Sequence, residues 1–264
     1  MKNNIFNKSG LFTLLAAAVL STSCEKELEK PTVDSTPQAY VAVHNFALLA
    51  GTTSSVYVNN NQLSLGGTIV ALGVGGSLLG NYIGVKPGDV TVGVRTSTGT
   101  ANYASRTVSV AQTACNSFFA FDTLTTGGTA RMLVLKNDMR PADTATSNIR
   151  FLHFSPNAGP VNVVLTRTQN HFGLAAGGTI NLTNVPYIGS SATPNETALS
   201  TFTAIPAGTY KVDVLSGSTV VLTVPTLTLR EKKNYSIVAR GFAPPRPAIP
   251  SGQTLGASLI LHNP

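Results

Sequence analysis

Val85-Lys86-Pro87-Gly88-Asp89-Val90-Thr91-Val92-Gly93-Val94 returns in the second half of the chain as Ile205-Pro206-Ala207-Gly208-Thr209-Tyr210-Lys211-Val212-Asp213-Val214. In each copy a Pro-Gly or Ala-Gly pair makes a turn. Val90, Val92 and Val94 then alternate with smaller or polar residues, as do Tyr210, Val212 and Val214. A period of two is the signature of a strand with one face buried. The stretch therefore predicts a hairpin, and its recurrence predicts that the hairpin belongs to a duplicated unit.

Other segments recur in the same order. Thr107-Val108-Ser109-Val110 matches Thr226-Leu227-Thr228-Leu229, and Ser117-Phe118-Phe119-Ala120 matches Ser236-Ile237-Val238-Ala239. Each half opens with a strand that ends at a histidine, Val41-Ala42-Val43-His44 and Arg150-Phe151-Leu152-His153. Each closes with a further strand, Leu133-Val134-Leu135-Lys136-Asn137 and Leu259-Ile260-Leu261-His262-Asn263. Between them, Arg140 to Ser147 is polar, aperiodic and interrupted by Pro141. The expected organisation is all-β, with two tandem antiparallel β-sandwich domains of the immunoglobulin/transthyretin-like kind. Residues 39–140 form the first domain, 141–147 a linker and 148–264 the second domain. Each unit has about 100 to 120 residues and roughly seven short strands. Essentially no helix is expected. Leu63 to Gly80 and Phe172 to Thr201 break the short-strand pattern in corresponding places, as binding loops or as irregular edge strands.

Composition agrees. Of 264 residues, 42% are hydrophobic and 11% charged, with 24 Gly, 15 Pro, no Trp and 2 Cys. Disordered chains are poor in apolar residues and rich in charge, so disorder is excluded. A disulfide framework or multi-cysteine zinc site needs more cysteine. The formal charge is +7. Lys2 and Lys8 lie in a segment expected to be removed, which leaves 16 basic against 11 acidic residues, a net +5. The bases are scattered apart from Arg230, Lys232 and Lys233. Nucleic-acid binding needs a denser patch with aromatics between, so no nucleic-acid partner is expected.

The N-terminus is laid out as an export signal. Lys2 and Lys8 precede an apolar run, Leu11 to Leu20, and the small residues Ser21, Thr22 and Ser23 lead to Cys24. The run is about ten residues, half of the roughly 20 that a membrane-spanning helix needs. The layout resembles a bacterial lipoprotein signal. That resemblance implies cleavage after residue 23, acylation of Cys24 and a flexible tether over residues 24–38. Several acyl chains on one cysteine are enough for stable anchoring, since each buried CH₂ contributes about 0.8 kcal/mol. Glu25-Lys26-Glu27-Leu28-Glu29-Lys30 resembles the acid-rich stretch that carries lipoproteins of Bacteroidetes type to the outer surface. The expected location is the outer membrane, lipid-anchored and exposed at the cell surface. With Cys24 acylated, Cys115 has no intramolecular partner and is expected to be a buried, inert thiol.

The opening of the second half, Ile149-Arg150-Phe151-Leu152-His153-Phe154-Ser155-Pro156-Asn157-Ala158-Gly159-Pro160-Val161-Asn162-Val163, resembles a bacterial domain of unknown function, number 4397. Pro206-Ala207-Gly208-Thr209-Tyr210 and Tyr235-Ser236-Ile237-Val238 continue the likeness. It extends over about 95 residues of the second half and is weaker in the first, where His44 is followed by Asn45-Phe46-Ala47. The resemblance implies an extracytoplasmic all-β domain, often lipoprotein-borne and tandem, with no known activity.

Little points to catalysis. His44 and His153, one per half, are expected to support each domain separately by bonding to a nearby carbonyl. His171 and His262 have no neighbours at metal-ligand spacing. From residue 41 onward the acids are Asp89, Asp122, Asp138, Asp143, Glu196, Asp213 and Glu231. They form no calcium-loop pattern, and Ser155 lacks a nucleophile elbow. No catalytic residue, metal ligand or cofactor is expected. Tyr187, on the second long loop, is the best candidate for stacking against a sugar. The expectation is a non-catalytic envelope lipoprotein with an adhesion, scaffolding or protein-binding role. It meets the membrane through its acyl chains and an envelope protein or glycan through its folded part. The runner-up is a surface glycan-binding lipoprotein beside a polysaccharide-uptake system. A hydrolase of envelope or extracellular glycans ranks third.

Overall fold

In the computed structural model, residues 36–48, 53–65, 67–77, 82–124, 129–245, 249 and 252–263 are described. The signal segment, Cys24 and the acidic stretch after it lie outside the described residues.

The chain is mostly β, in several small sheets. The first half contains β1 (Ala39–Asn45), β2 (Ser54–Val58), the two-residue pieces β3 (Asn61–Gln62), β4 (Ser64–Leu65), β5 (Thr68–Ile69), β6 (Ala71–Leu72) and β7 (Gly76–Ser77), then β8 (Ile83–Val85), β9 (Gly88–Thr96), β10 (Ala104–Val110), β11 (Cys115–Phe121) and β12 (Arg131–Asn137). The second contains β13 (Thr146–Phe154), β14 (Val161–Asn170), β15 (Thr179–Val185), β16 (Thr203–Pro206), β17 (Gly208–Ser216), β18 (Thr219–Leu229), β19 (Asn234–Arg240) and β20 (Gly256–Leu261). Helix is confined to a 3-10 turn at Ile188–Ser190 and to α1 (Glu196–Ser200), among the described residues.

The sheets repeat one order. The sheet β12-β11-β1, with β8 beside β1, has its counterpart in β20-β19-β13-β16. The sheet β10-β9-β2 has its counterpart in β18-β17-β14. In one respect the pairing departs from the antiparallel expectation. β1 runs parallel to β11, and β13 parallel to β19. β1 lies between antiparallel β8 and parallel β11, and β13 between antiparallel β16 and parallel β19. The predicted hairpin does not form in either half: β8 and β9, like β16 and β17, belong to different sheets, so the turn between them is a crossover. The long second stretch also resolves. Residues 179–185 form β15 against β14, and α1 follows, capped by the Asn195 side chain, which accepts from Ala198 N.

Alternation explains the cores. Val41, Val43, Val90, Val92, Val94, Phe118, Ala120 and Val134 fill the core of the first half. Ile149, Val163, Leu165, Tyr210, Val212, Val214 and Ile237 fill that of the second. The opposite faces of β11, β12, β13, β19 and β20 are buried too. Phe46, Phe119, Phe121, Leu133, Leu135, Leu152, Phe154, Ile188, Val238 and Ile260 form a third core, drawn from both halves. Residues 37–264 accordingly cluster as one compact unit. This third core joins the two halves. A sheet buried on both faces reads as a continuous apolar run, as Phe118-Phe119-Ala120-Phe121 and Met132-Leu133-Val134-Leu135 do.

Register corrects the alignment of the two halves. Val43 pairs with Phe118, and Phe151 pairs with Ile237. With Phe118 equivalent to Ile237, Val43 is equivalent to Phe151. His153 therefore corresponds to Asn45, and His44 to Leu152. Ser117 faces Leu135 and Ser236 faces Ile260, so His262 corresponds to Asn137. Matching the histidines in sequence is one residue out of phase, and in a strand one residue changes the face.

Candidate functional site

The most exposed apolar groups stand on hairpin ends. Between β14 and β15 the chain turns through Asn170-His171-Phe172-Gly173-Leu174. The Asn170 side-chain oxygen accepts from Phe172 N at 2.9 Å and Leu174 N at 3.1 Å. Gly173 supplies the positive φ of +79° that the turn requires. These bonds hold the backbone while Phe172 stays 76% exposed and Leu174 65%. The His171 ring lies 3.9 Å from the Phe172 ring. Beside the tip is a pocket of about 510 Å³ lined by His171, Phe172, Thr209, Arg230 and Glu231 among others. In the first half the small β4–β5 hairpin likewise leaves Leu65 and Ile69 exposed. An exposed aromatic on a constrained turn loses little entropy when a partner covers it, which is how interface anchors act.

A second region is the junction between the halves. Arg106 of β10 forms an ion pair with Glu196 of α1, whose carboxylate also accepts from Val134 N at 3.1 Å. Arg131 of β12 reaches the carbonyls of Gly189 at 2.5 Å and Ser191 at 2.6 Å, and its Nε donates to Asp122 at 2.6 Å. Asn234 donates to the carbonyls of Asp138 and Arg140. Alongside runs an open cleft of about 1190 Å³, lined by Cys115, Lys136, Arg140, Glu196 and Phe202 among others.

One end of the junction is polar and closed. Arg150 is 5% exposed. Its Nε donates to Ser236 Oγ at 2.7 Å and its Nη2 to Asn137 Oδ1 at 2.7 Å. The guanidinium lies over the Phe202 ring at 4.7 Å. His262 joins Ser236 Oγ through Nε2 at 2.7 Å and the Tyr82 hydroxyl through Nδ1 at 2.9 Å. Asn137 donates to Tyr82 and Ser117. His44 stacks on Phe119 at 4.6 Å, and neither ring nitrogen has a hydrogen-bond partner. Burial, then the Arg150 charge, lowers the His44 pKa to about 3. Burial lowers that of Arg150 to about 9. His262 is held well below the usual histidine range by burial, then by Arg150 and His44.

The sequence-predicted residues fall as follows. Tyr187 is half-buried, with its hydroxyl donating to Asp122 at 2.6 Å and its ring edge-on to His153 at 6.0 Å. Burial, then the carboxylate beside it, pushes its pKa up. It ties the second half to the end of β11. His153 meets the expectation of a backbone bond, with Nε2 at 2.8 Å from Gly159 O. His44 does not: its ring stacks on Phe119 and neither nitrogen has a hydrogen-bond partner. Cys115 is half-buried rather than buried, bordering the cleft, and partial burial pushes its thiol pKa up. Phe172, Leu174 and Arg150 were not singled out by sequence reasoning. A Phe-Gly-Leu turn between polar strands signals the first two. For Arg150 the signal is a charged residue inside the apolar opening strand. Among the described residues no three His, Cys, Asp or Glu groups converge as a metal site.

No curated protein matches the chain. Among solved structures, a leucine-rich repeat protein from Bacteroides thetaiotaomicron aligns at 12% identity and a TM-score of 0.20, over 80% of this chain and 26% of the other. The chain thus spans about a quarter of that protein's length. A candidate cell adhesion protein from Bacteroides ovatus aligns at 10% identity and 0.22, over 84% and 95%. A candidate adhesin from the same species aligns at 9% and 0.20, over 88% and 95%. At these TM-scores the likenesses carry nothing about fold or function. The sequence match is more telling: it includes the Ile149 to Val163 motif and extends back over the first half rather than forward over the second. It takes in β1 to β12 and the opening strands of the second half: residues 39–164 match the family described as Domain of unknown function (DUF4397).

Proposed function

We propose that this is a non-catalytic cell-envelope lipoprotein, anchored through acylated Cys24, whose paired β-sandwich domains present apolar hairpin ends to a protein partner in adhesion or scaffolding. The supporting observation is the β14–β15 turn, where a network of bonds to Asn170 holds Phe172 and Leu174 in solvent. Keeping two large apolar side chains in water forgoes about 1.5–3 kcal/mol each of burial, a loss a binding surface recovers on contact. The carboxylates support the non-catalytic reading. Glu196, Asp122, Asp138 and Asp213 are each engaged by a neighbouring cation. The half-buried setting of Tyr187 leaves its ring little free face for a sugar, which puts glycan binding second.

The test is adherence of intact cells carrying the protein to immobilised protein surfaces, alongside glycan-array binding. Phe172→Ser with Leu174→Ser should cut adherence at least tenfold and leave folding unchanged. Sugar binding abolished by Tyr187→Ala, with adherence indifferent to the tip, would replace this reading with the glycan one. Cys24→Ser should release the protein from the membrane, and protease added to intact cells should remove the wild-type protein. Retention of Cys24→Ser at the membrane would sink the anchor.

A further inference from the structure

We propose that the closed polar end of the junction binds a small monovalent anion of halide size between Arg150 and His44. The argument begins with charge. Arg150 is a cation at 5% exposure, and the groups that reach it are Ser236, Asn137, His262, Tyr82 and the rings of Phe119 and Phe202. None is a carboxylate. A buried cation without a counter-charge is costly, because the field that water would screen is left unopposed. The hydrogen bonding is incomplete in the same place. Arg150 Nη1 has no partner, nor does either nitrogen of His44, which is 1% exposed. The Arg150 charge acts on His44, and both residues flank the same Phe119 ring.

The two unused donor groups thus belong to opposite halves and lie around one ring. An anion there accepts from Arg150 Nη1 and from the N–H of His44, and supplies the missing charge. It must be small, since these atoms are closed to solvent and nothing with a tail can reach them. The equivalent positions are Ala42 for Arg150 and Leu152 for His44, so the duplicated frame does not require either residue. Each stands where the other half carries an apolar residue. Burial and then the Arg150 charge lower the pKa of His44, and burial lowers that of Arg150; an anion between them raises both.

The experiment is thermal unfolding of the purified full chain at constant ionic strength, replacing gluconate with chloride or bromide. Gluconate is too large for the site. The wild type should gain about 5 °C in a saturable manner, and bromide-soaked crystals should show an anomalous peak beside Arg150 Nη1 and His44. Arg150→Met and His44→Leu should each lose the halide response. If Arg150→Met fails to fold, His44→Leu and the bromide peak decide. Identical melting in all three salts with no bromide peak, the result expected of a bridging water, would overturn the proposal. So would a halide response that survives in both variants.

Discussion

The two halves share one strand order and differ in what they place at the junction. Ser117 with Asn137 in the first half and Ser236 with His262 in the second occupy equivalent positions and make equivalent bonds. Asn45 and His153 also correspond. The Asn45 side chain accepts from Ala47 N at 3.2 Å, and His153 Nδ1 accepts from Ser155 N at 3.3 Å. Two unlike residues thus do one job, while the two residues that look alike, His44 and His153, do different ones. The duplicated frame dictates which positions face inward. It leaves open whether an inward position carries an apolar group, as Leu152 does, or a polar one, as His44 does.

The largest expected effect comes from the shared apolar core. Phe154→Ala should cost about 3–5 kcal/mol in urea unfolding. If the halves were independent, it would instead split the transition and leave the first half's midpoint in place. Next is the register equivalence. His153→Leu should cost about 2–3 kcal/mol, because Ser155 N and the Gly159 carbonyl lose their partner. His153→Asn should cost less than about 1 kcal/mol if it takes the role of Asn45. At His44 the order reverses. In halide-free buffer His44→Leu should raise stability by about 1 kcal/mol. Equal responses at the two sites would break the register assignment.

The histidines also set a pH dependence. His44, His153 and His262 are all held below their unfolded pKa of about 6.5 by burial. Between that value and the His44 value of about 3 the unfolded chain binds more protons, so stability rises with pH there. It is fully present above about pH 6.5 and is lost on acidification. The urea midpoint should fall in that window, and His44→Leu should flatten the fall. Smaller effects belong to the ties at the junction's edge. Tyr187→Phe should cost about 1–2 kcal/mol through the bond to Asp122. Glu196→Gln should cost under about 1 kcal/mol, since its pair with Arg106 is partly exposed.

Alternation at Val90, Val92 and Val94 was enough to read β9 and its second copy β17, but not that the turn before each carries the chain from one sheet to the other instead of closing a hairpin. The same period could not register β1 against β13. His44 and His153 each end a strand in sequence, but a strand's phase relative to its partner is set by pairing, and only the sheet contains that pairing. The apolar tip was equally hard to read. Phe172 and Leu174 look like core residues until the Asn170 turn holds them outward. Tyr187 looked free because its partners, Asp122 and His153, are distant in the chain.

By itself the sequence determined the strand class and the duplicated alternating strand after each turn, because period and turn chemistry are local properties. The tertiary structure decided the parallel pairs, the shared third core and the burial of Arg150 and His44 beside one Phe119 ring. Each of these depends on which face of one sheet is covered by the other, and a chain carries no local mark of the surface that will bury it.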